Sequence, residues 1–185
     1  MKSFIRFLNE NIEEVAARIK QLNADDQAPR NRYAGFLEKT GAHKNPDLWQ
    51  EASRQFLEQE KTRNPNLNPH DMFGDSGRAP EVRSLLIKHS KSLFAHSDPE
   101  VRGAAWRLAQ HADHDVKLQK HVLSHMKRAN FTDPTDRGNL KLMTDRVRVN
   151  TGKKQVYGTQ SEFHPVTGKQ TYQGVHPPEH QEQLS

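Results

Sequence analysis

Apolar residues recur at three- and four-residue spacing through most of the chain, which predicts helices separated by short polar breaks. From Ser3 to Leu22, the residues Phe4, Phe7, Leu8, Ile12, Val15, Ala16, Ile19 and Leu22 fall on one face, with Ser3 placed as an N-cap. The opposite face mixes Glu10, Glu13 and Glu14 with Arg and Lys, so this helix suits packing against a core or a protein partner rather than a membrane surface, which favours a basic face. Residues Asn23 to Asn31 read as a polar break, and Arg32 to Lys39 as a short helix ending at Gly41. Asn45-Pro46 then opens a helix through Leu48, Trp49, Ala52, Phe56 and Leu57 to about Lys61, with Trp49 and Phe56 as its core anchors. Arg63 to Gly77, with Pro65, Pro69, Gly74 and Gly77, reads as a loop.

Pro80-Glu-Val-Arg83 recurs as Pro99-Glu-Val-Arg102, each starting a helix, the second capped by Asp98. Shared capping chemistry explains the pair as well as an array of helical hairpins does. Asp115 opens a helix through Val116, Leu118, Val122, Leu123 and Met126, and Asp133-Pro134 opens another through Leu140, Leu142 and Met143. Beyond Asp145 the period changes. Val147 and Val149 alternate with Arg146 and Arg148, Thr151-Gly152 reads as a tight turn, and Gln155 to Tyr157 as the return strand of a hairpin. Pro165 to Gly168 reads as a second turn before a strand over Gln170 to Val175, and His176 to Ser185 as a frayed tail. The predicted fold is mainly α, a helical domain with a small antiparallel β-hairpin or meander near the C-terminus. Its parts are an N-terminal helical extension with loop over 1–78, a helical core plus hairpin over 79–175, and a tail over 176–185.

Composition narrows the function more than the fold. A length of 185 residues suits one domain with extensions, and 32% hydrophobic content leaves part of it outside a core. A formal charge of +5 would allow contact with a polyanion, but 23 acidic residues are interleaved with the 28 basic ones. The basic residues Lys88, Lys91, Arg102, Arg107, Lys117, Lys120, Lys127 and Arg128 come with no nucleic-acid reading motif, so a solvated face is the favoured reading. With no cysteine there is no disulfide or thiolate chemistry, which fits a reducing compartment such as the cytoplasm. No apolar run approaches the roughly 20 residues of a membrane span. A Gly-rich phosphate loop and a Gly-x-Ser-x-Gly element are missing, which disfavours nucleotide hydrolysis and serine-esterase chemistry.

Polar side chains that could move a proton or orient a substrate are concentrated between Trp106 and Gln160. His111 with Asp113 sits at a helix end, where a carboxylate can fix the tautomer of an imidazole acting as general acid or base. Alternatively, Gln110 and His111 bond to neighbouring loops while Asp113 or Asp115 caps the next helix. Asp145 could be buried against its own Arg146 or against His111, and Arg146 could clamp an anionic substrate. Gln119, Gln155, Tyr157, Thr159 and Gln160 supply further donors and acceptors, and Gly158 permits close backbone approach. His121 and His125, four apart, give a secondary reading as divalent-metal ligands, but the glutamate of the zinc-protease motif is replaced by Val122. The main expectation is no metal and no cofactor.

The order Trp106, Gln110-His111-Ala112-Asp113, Gln119, Asp145-Arg146 and Gln155-Val-Tyr157-Gly158-Thr159-Gln160 resembles a widespread bacterial domain family of unknown function, over about the C-terminal half of the chain. The resemblance implies relatives and no particular reaction. The first ten residues are similar to the starts of proteins of T4-like tailed bacteriophages, and Leu8-Asn9-Glu10 resembles the short sequence cut by their head-maturation proteases.

Two functional readings follow. In one the chain is an enzyme, a hydrolase or group transferase acting on a small polar or anionic ligand. His111, Asp113, Asp145 and Tyr157 are then catalytic, and Gln110, Gln119, Arg146, Gln155, Thr159 and Gln160 bind substrate. In the other it is a structural or interaction protein, a virion component in the phage setting, that docks a protein partner through its N-terminal helix. The same polar residues then form a buried network.

Overall fold

Asn11 starts the first described helix by accepting a hydrogen bond from Glu13 N at 3.2 Å, and α1 then runs Ile12–Lys39. The computed structural model describes residues 11–63, 65, 80–163 and 170–172, and these are mainly helical. Neither the expected Ser3 cap nor residues 1–10 lie within them. The polar break expected over residues 23–31 does not occur: α1 passes through it, Pro29 included, and the short helix expected from Arg32 is its last turns. The reason is tertiary. Asn23, Asp26, Gln27 and Arg30 recur at i, i+3, i+4 and i+7, a helical stripe in which Asn23 and Asp26 meet Arg107 and His111 across the fold and Gln27 and Arg30 stay beside Asp26.

Gly41, with a φ of 74°, reverses the chain into two 3-10 turns, Ala42–Lys44 and Pro46–Leu48. Asn45 accepts from Asp47 N at 3.1 Å, so it caps the second turn, and α2 follows over Trp49–Arg63. Phe56, 2% exposed, packs on Tyr33 and Phe36 as a core anchor should. Trp49 does not: it is 40% exposed, and its indole N–H donates to the Ala42 carbonyl at 2.6 Å. An amphipathic ring with a good acceptor at its polar edge can sit at the surface.

The remaining helices among the described residues are α3 (Pro80–Phe94), α4 (Pro99–Gln110), α5 (Val116–Met126) and α6 (Pro134–Val149). Asp98, Asp115 and Asp133 accept hydrogen bonds from backbone N–H groups in the first turns of α4, α5 and α6. α4 is central and touches α1, α3, α5 and α6. Its buried residues are Val101, Gly103, Ala104, Ala105, Leu108 and Ala109, mostly small, which suits a helix packed among four neighbours. Around it close Ile19, Leu86, Leu93, Phe94, Leu118, Val122, Met126 and Met143. Contacts between α1 and the α4 segment rise together in number (Lys20 to Asp98, Asn23 to Arg107, Asp26 to His111), so the two helices run parallel.

The hairpin expected over Arg146 to Tyr157 is absent. Arg146–Val149 is the last turn of α6, because Leu140, Met143 and Val147 carry the helical period past the point where the valines alternate. Thr151-Gly152 ends that helix rather than turning a hairpin: Gly152 N bonds Val149 O at 2.9 Å and Lys153 N bonds Arg148 O at 2.8 Å, with Gly152 left-handed at φ 70°. A short antiparallel pair, β1 (Ser161–Phe163) and β2 (Gln170–Tyr172), closes the described chain. The loop expected between Arg63 and Gly77, the turn at 165–168 and the tail lie almost wholly outside the described residues.

Two predictions follow from the packing and the caps. Leu86→Ala, at a fully buried site, should cost about 2–5 kcal/mol in denaturant unfolding, whereas Ile87→Ala, at a position 39% exposed, should cost much less. The cap carboxylates of Asp98, Asp115 and Asp133 are held below the ordinary carboxylate range, first by the backbone N–H groups of Glu100, Leu118 and Thr135 respectively. Groups lowered in this way stabilise the fold above the ordinary carboxylate pKa of about 4 and lose that contribution as pH falls through their folded values. The melting temperature should therefore drop on acidification, and less steeply in Asp115→Asn, which keeps the capping oxygen but not the charge.

Candidate functional site

α4 ends at Gln110, and His111 is its C-cap, with φ −77° and ψ −5°. There the imidazole Nδ1 meets Asp26 Oδ2 of α1 at 2.6 Å, with the Asp26 side chain 0% and the His111 side chain 20% exposed. The same oxygen accepts from Gln27 Nε2 at 3.0 Å and lies 3.5 Å from Arg30 Nε, outside good hydrogen-bond geometry. Asp26 Oδ1 is buried without a partner. A carboxylate facing Nδ1 holds the neutral ring as its Nδ1–H tautomer, which leaves Nε2 as the basic nitrogen. Nε2 has no hydrogen-bond partner among the described residues. The arrangement is that of an imidazole oriented from behind by a buried acid.

Asp113 is not the partner of His111. Its Oδ1 accepts from Gln119 Nε2 at 3.1 Å and Asn150 Nδ2 at 3.0 Å, and its Oδ2 from Arg146 Nη1 at 2.9 Å. Gln119, 0% exposed, reaches the Ala109 and Gln110 carbonyls through Nε2 and accepts from Asn150 at 2.9 Å. The expected contribution of Gln110 thus comes from its backbone oxygen. This knot ties the ends of α4 and α6 to the middle of α5.

Asp145 forms a second knot, with neither Arg146 nor His111. Fully buried on α6, it accepts from the backbone N–H groups of Val156, Tyr157 and Thr159 and from the Thr159 hydroxyl, all within 2.7–3.2 Å. Gly158, left-handed at φ 68°, lets the chain wrap around the carboxylate. Gln155 and Gln160 lock the loop reciprocally, Gln155 Nε2 to Gln160 O and Gln160 N to Gln155 Oε1, both at 2.6 Å. Gln160 Nε2 also reaches the Leu142 carbonyl at 3.3 Å. Tyr157 stacks beneath Lys141, whose Nζ lies 5.4 Å from the ring centroid.

The ten residues expected to share one pocket are therefore divided among an imidazole–carboxylate pair and two hydrogen-bonded knots. Sequence reasoning missed Asp26, Arg30 and Asn150. The helical spacing of Asn23, Asp26, Gln27 and Arg30 could have signalled the first two, but it was masked by the composition of a loop. His121 and His125 stack with ring centroids 4.7 Å apart, but His121 Nε2 is engaged by the Ile87 carbonyl at 3.1 Å. No group of three or more candidate metal ligands occurs among the described residues. Burial, and then the neighbouring His121, lower the His125 pKa, as for a ring kept neutral. A cleft of about 380 Å³ lies elsewhere, between α1 and α3, lined by Val15, Arg18, Glu81 and Leu85.

Asp145→Ala would strand three N–H groups and a hydroxyl and should cost about 3 kcal/mol. Amide exchange should accelerate at Val156, Tyr157 and Thr159 by far more than in α4 or α5; equal acceleration everywhere would deny the knot its local role. No family model, curated protein or solved structure matches the chain.

Proposed function

We propose that the chain carries an acid–base site at His111, serving hydrolysis or group transfer on a small polar or anionic substrate. The observation that carries this reading is the 2.6 Å contact of a partly exposed imidazole with a fully buried carboxylate. In it, Nε2 takes a proton from a substrate hydroxyl or an attacking water and returns it to the leaving group. Asp26, beneath the ring, stabilises the imidazolium that forms between the two steps. Asp113, 52% exposed and two residues past His111, is ion-paired with Arg146 of α6, 26% exposed. Arg146, neutralised there, is a weaker anion clamp than the sequence suggests. Asp145, Gln119, Gln155, Thr159 and Gln160 become the frame, and Tyr157 part of its cover.

A second reading, a non-catalytic structural or interaction protein, is favoured by the closure of the Asp145 and Gln119 knots, whose central residues are 0% exposed. Under it the resemblance to T4-like phage proteins suggests a virion component, and under the first the bacterial family suggests a cytoplasmic protein. No described helix is long and apolar enough to cross a membrane.

Thermal melting of wild type and His111→Gln, scanned against divalent metals, nucleotides and small anionic metabolites, separates the two. The acid–base reading predicts a ligand that raises the wild-type melting point but not the variant's, the unliganded proteins melting alike. Turnover of that ligand, where it is a substrate, should fall about 10²–10⁴-fold in the variant. A variant that melts far earlier, with no ligand shifting either protein, would leave the interaction reading standing.

A further inference from the structure

Most well-placed arginines in the described chain are closed on a carboxylate. Arg18 grips Glu81 through two bonds of 2.6 and 2.7 Å, Arg32 grips Glu60 at 3.1 and 2.6 Å, and Arg102 meets Asp136 at 2.7 Å. Arg30 is different. Its sole carboxylate neighbour among the described residues is Asp26 Oδ2, at 3.5 Å, and that oxygen already accepts from His111 and Gln27. Its Nε, like that of Arg146, is buried without a hydrogen-bond partner, but unlike Arg146 it has no other nitrogen hydrogen-bonded to a carboxylate, and its side chain as a whole is 34% exposed. One edge of the guanidinium therefore lies inside, beside the imidazole–carboxylate pair, and the rest reaches the surface.

A guanidinium that makes no hydrogen bond among the described residues, next to a histidine that must become cationic, is electrostatically awkward. Two positive charges would share one buried carboxylate, and the burial of Asp26 strengthens their repulsion. An anion on the guanidinium fork removes the conflict. It takes a charge-assisted bond from the surface-reaching Nη groups, balances the second positive charge and makes the imidazolium easier to form.

We propose that Arg30 is the specificity-determining residue of the His111 site, holding the oxyanion of the substrate, a carboxylate or a phosphate monoester, beside the imidazole. The proposal rests on the acid–base reading of His111 and replaces Arg146 with Arg30 as the clamp. The planar fork matches two oxygens of either group, so geometry alone allows both sources of the charge. Arg30 binds and positions; the proton transfer stays with His111.

The test uses the full chain and the ring ¹H–¹⁵N signals of His111, identified by their loss in His111→Gln. Wild type, Arg30→Gln, Arg30→Lys and Arg146→Gln are titrated with inorganic phosphate and separately with acetate, ionic strength being held constant with chloride. Wild type should show a saturable shift with at least one of the two ions. Binding should weaken at least tenfold in Arg30→Gln, less in Arg30→Lys, which keeps the charge without the fork, and by less than twofold in Arg146→Gln. Response to phosphate alone marks a phosphate monoester as the ligand group, and response to acetate alone a carboxylate. No saturable shift with either ion, or wild-type binding in both Arg30 variants, overturns the proposal; where Arg30→Gln does not fold, Arg30→Lys decides. The same spectra test the underlying reading separately. The Nδ1–H tautomer should dominate in wild type and lose its dominance in Asp26→Asn, whatever the anions do. A tautomer indifferent to Asp26 would sink the acid–base reading even where Arg30 binds an ion.

Discussion

A carboxylate removed from water must find donors inside the protein, and two fully buried aspartates meet this requirement in opposite ways. Asp145 is saturated: three backbone N–H groups and a hydroxyl surround it, all within one loop. Asp26 is not. One of its oxygens serves His111 and Gln27, and the other has no partner. A saturated carboxylate has nothing left to offer a ligand and acts as an anchor. An undersaturated one beside a partly exposed imidazole and a guanidinium that makes no hydrogen bond among the described residues leaves polar groups open to further bonding. The asymmetry separates frame from site better than residue type does, since both are aspartates on helices.

Much of the fold was legible because it rests on signals that act locally. Asp98-Pro99, Asp115 and Asp133-Pro134 place three helix starts with no knowledge of tertiary structure. The illegible parts are those where distant partners overrule local preference. Residues 23–31 read as a loop because Asn, Asp, Gln and Pro favour loops, yet Arg107 and His111, some 80 residues away, turn that polarity into an interhelical seam. At Arg146 to Val149 a strand-like alternation competed with a helical period only one turn longer than expected, and the buried Met143 and Val147 decided for the helix.

The partners of the candidate residues were misread. Short sequence distance suggested His111 with Asp113 and Asp145 with Arg146. The structure pairs His111 across the fold with Asp26, Arg146 with Asp113, and Asp145 with a loop more than ten residues ahead. Adjacent residues on a helix point in different directions, so neighbours in sequence are poor candidates for partners in space. Gln119 and Gln155 drew notice as possible substrate ligands, but burial identifies them as internal ties.

The ties and the site are nevertheless linked. Gln119 Nε2 faces the carbonyls of Ala109 and Gln110, the two residues immediately before His111, and it also faces Asp113, two residues after. The backbone on both sides of the imidazole is thereby fixed from α5, and Asn150 and Arg146 extend the hold to α6. An imidazole at a helix C-cap would otherwise sit where helices fray. A ring held from below by Asp26 and flanked by a backbone with little freedom keeps Nε2 in one place, which proton transfer requires to within fractions of an ångström. The fully buried Gln119 amide at the centre of this network is expensive unless it is satisfied. Its cost is easier to understand if it positions the histidine at its edge than if it only joins three helices, which apolar side chains could do as well.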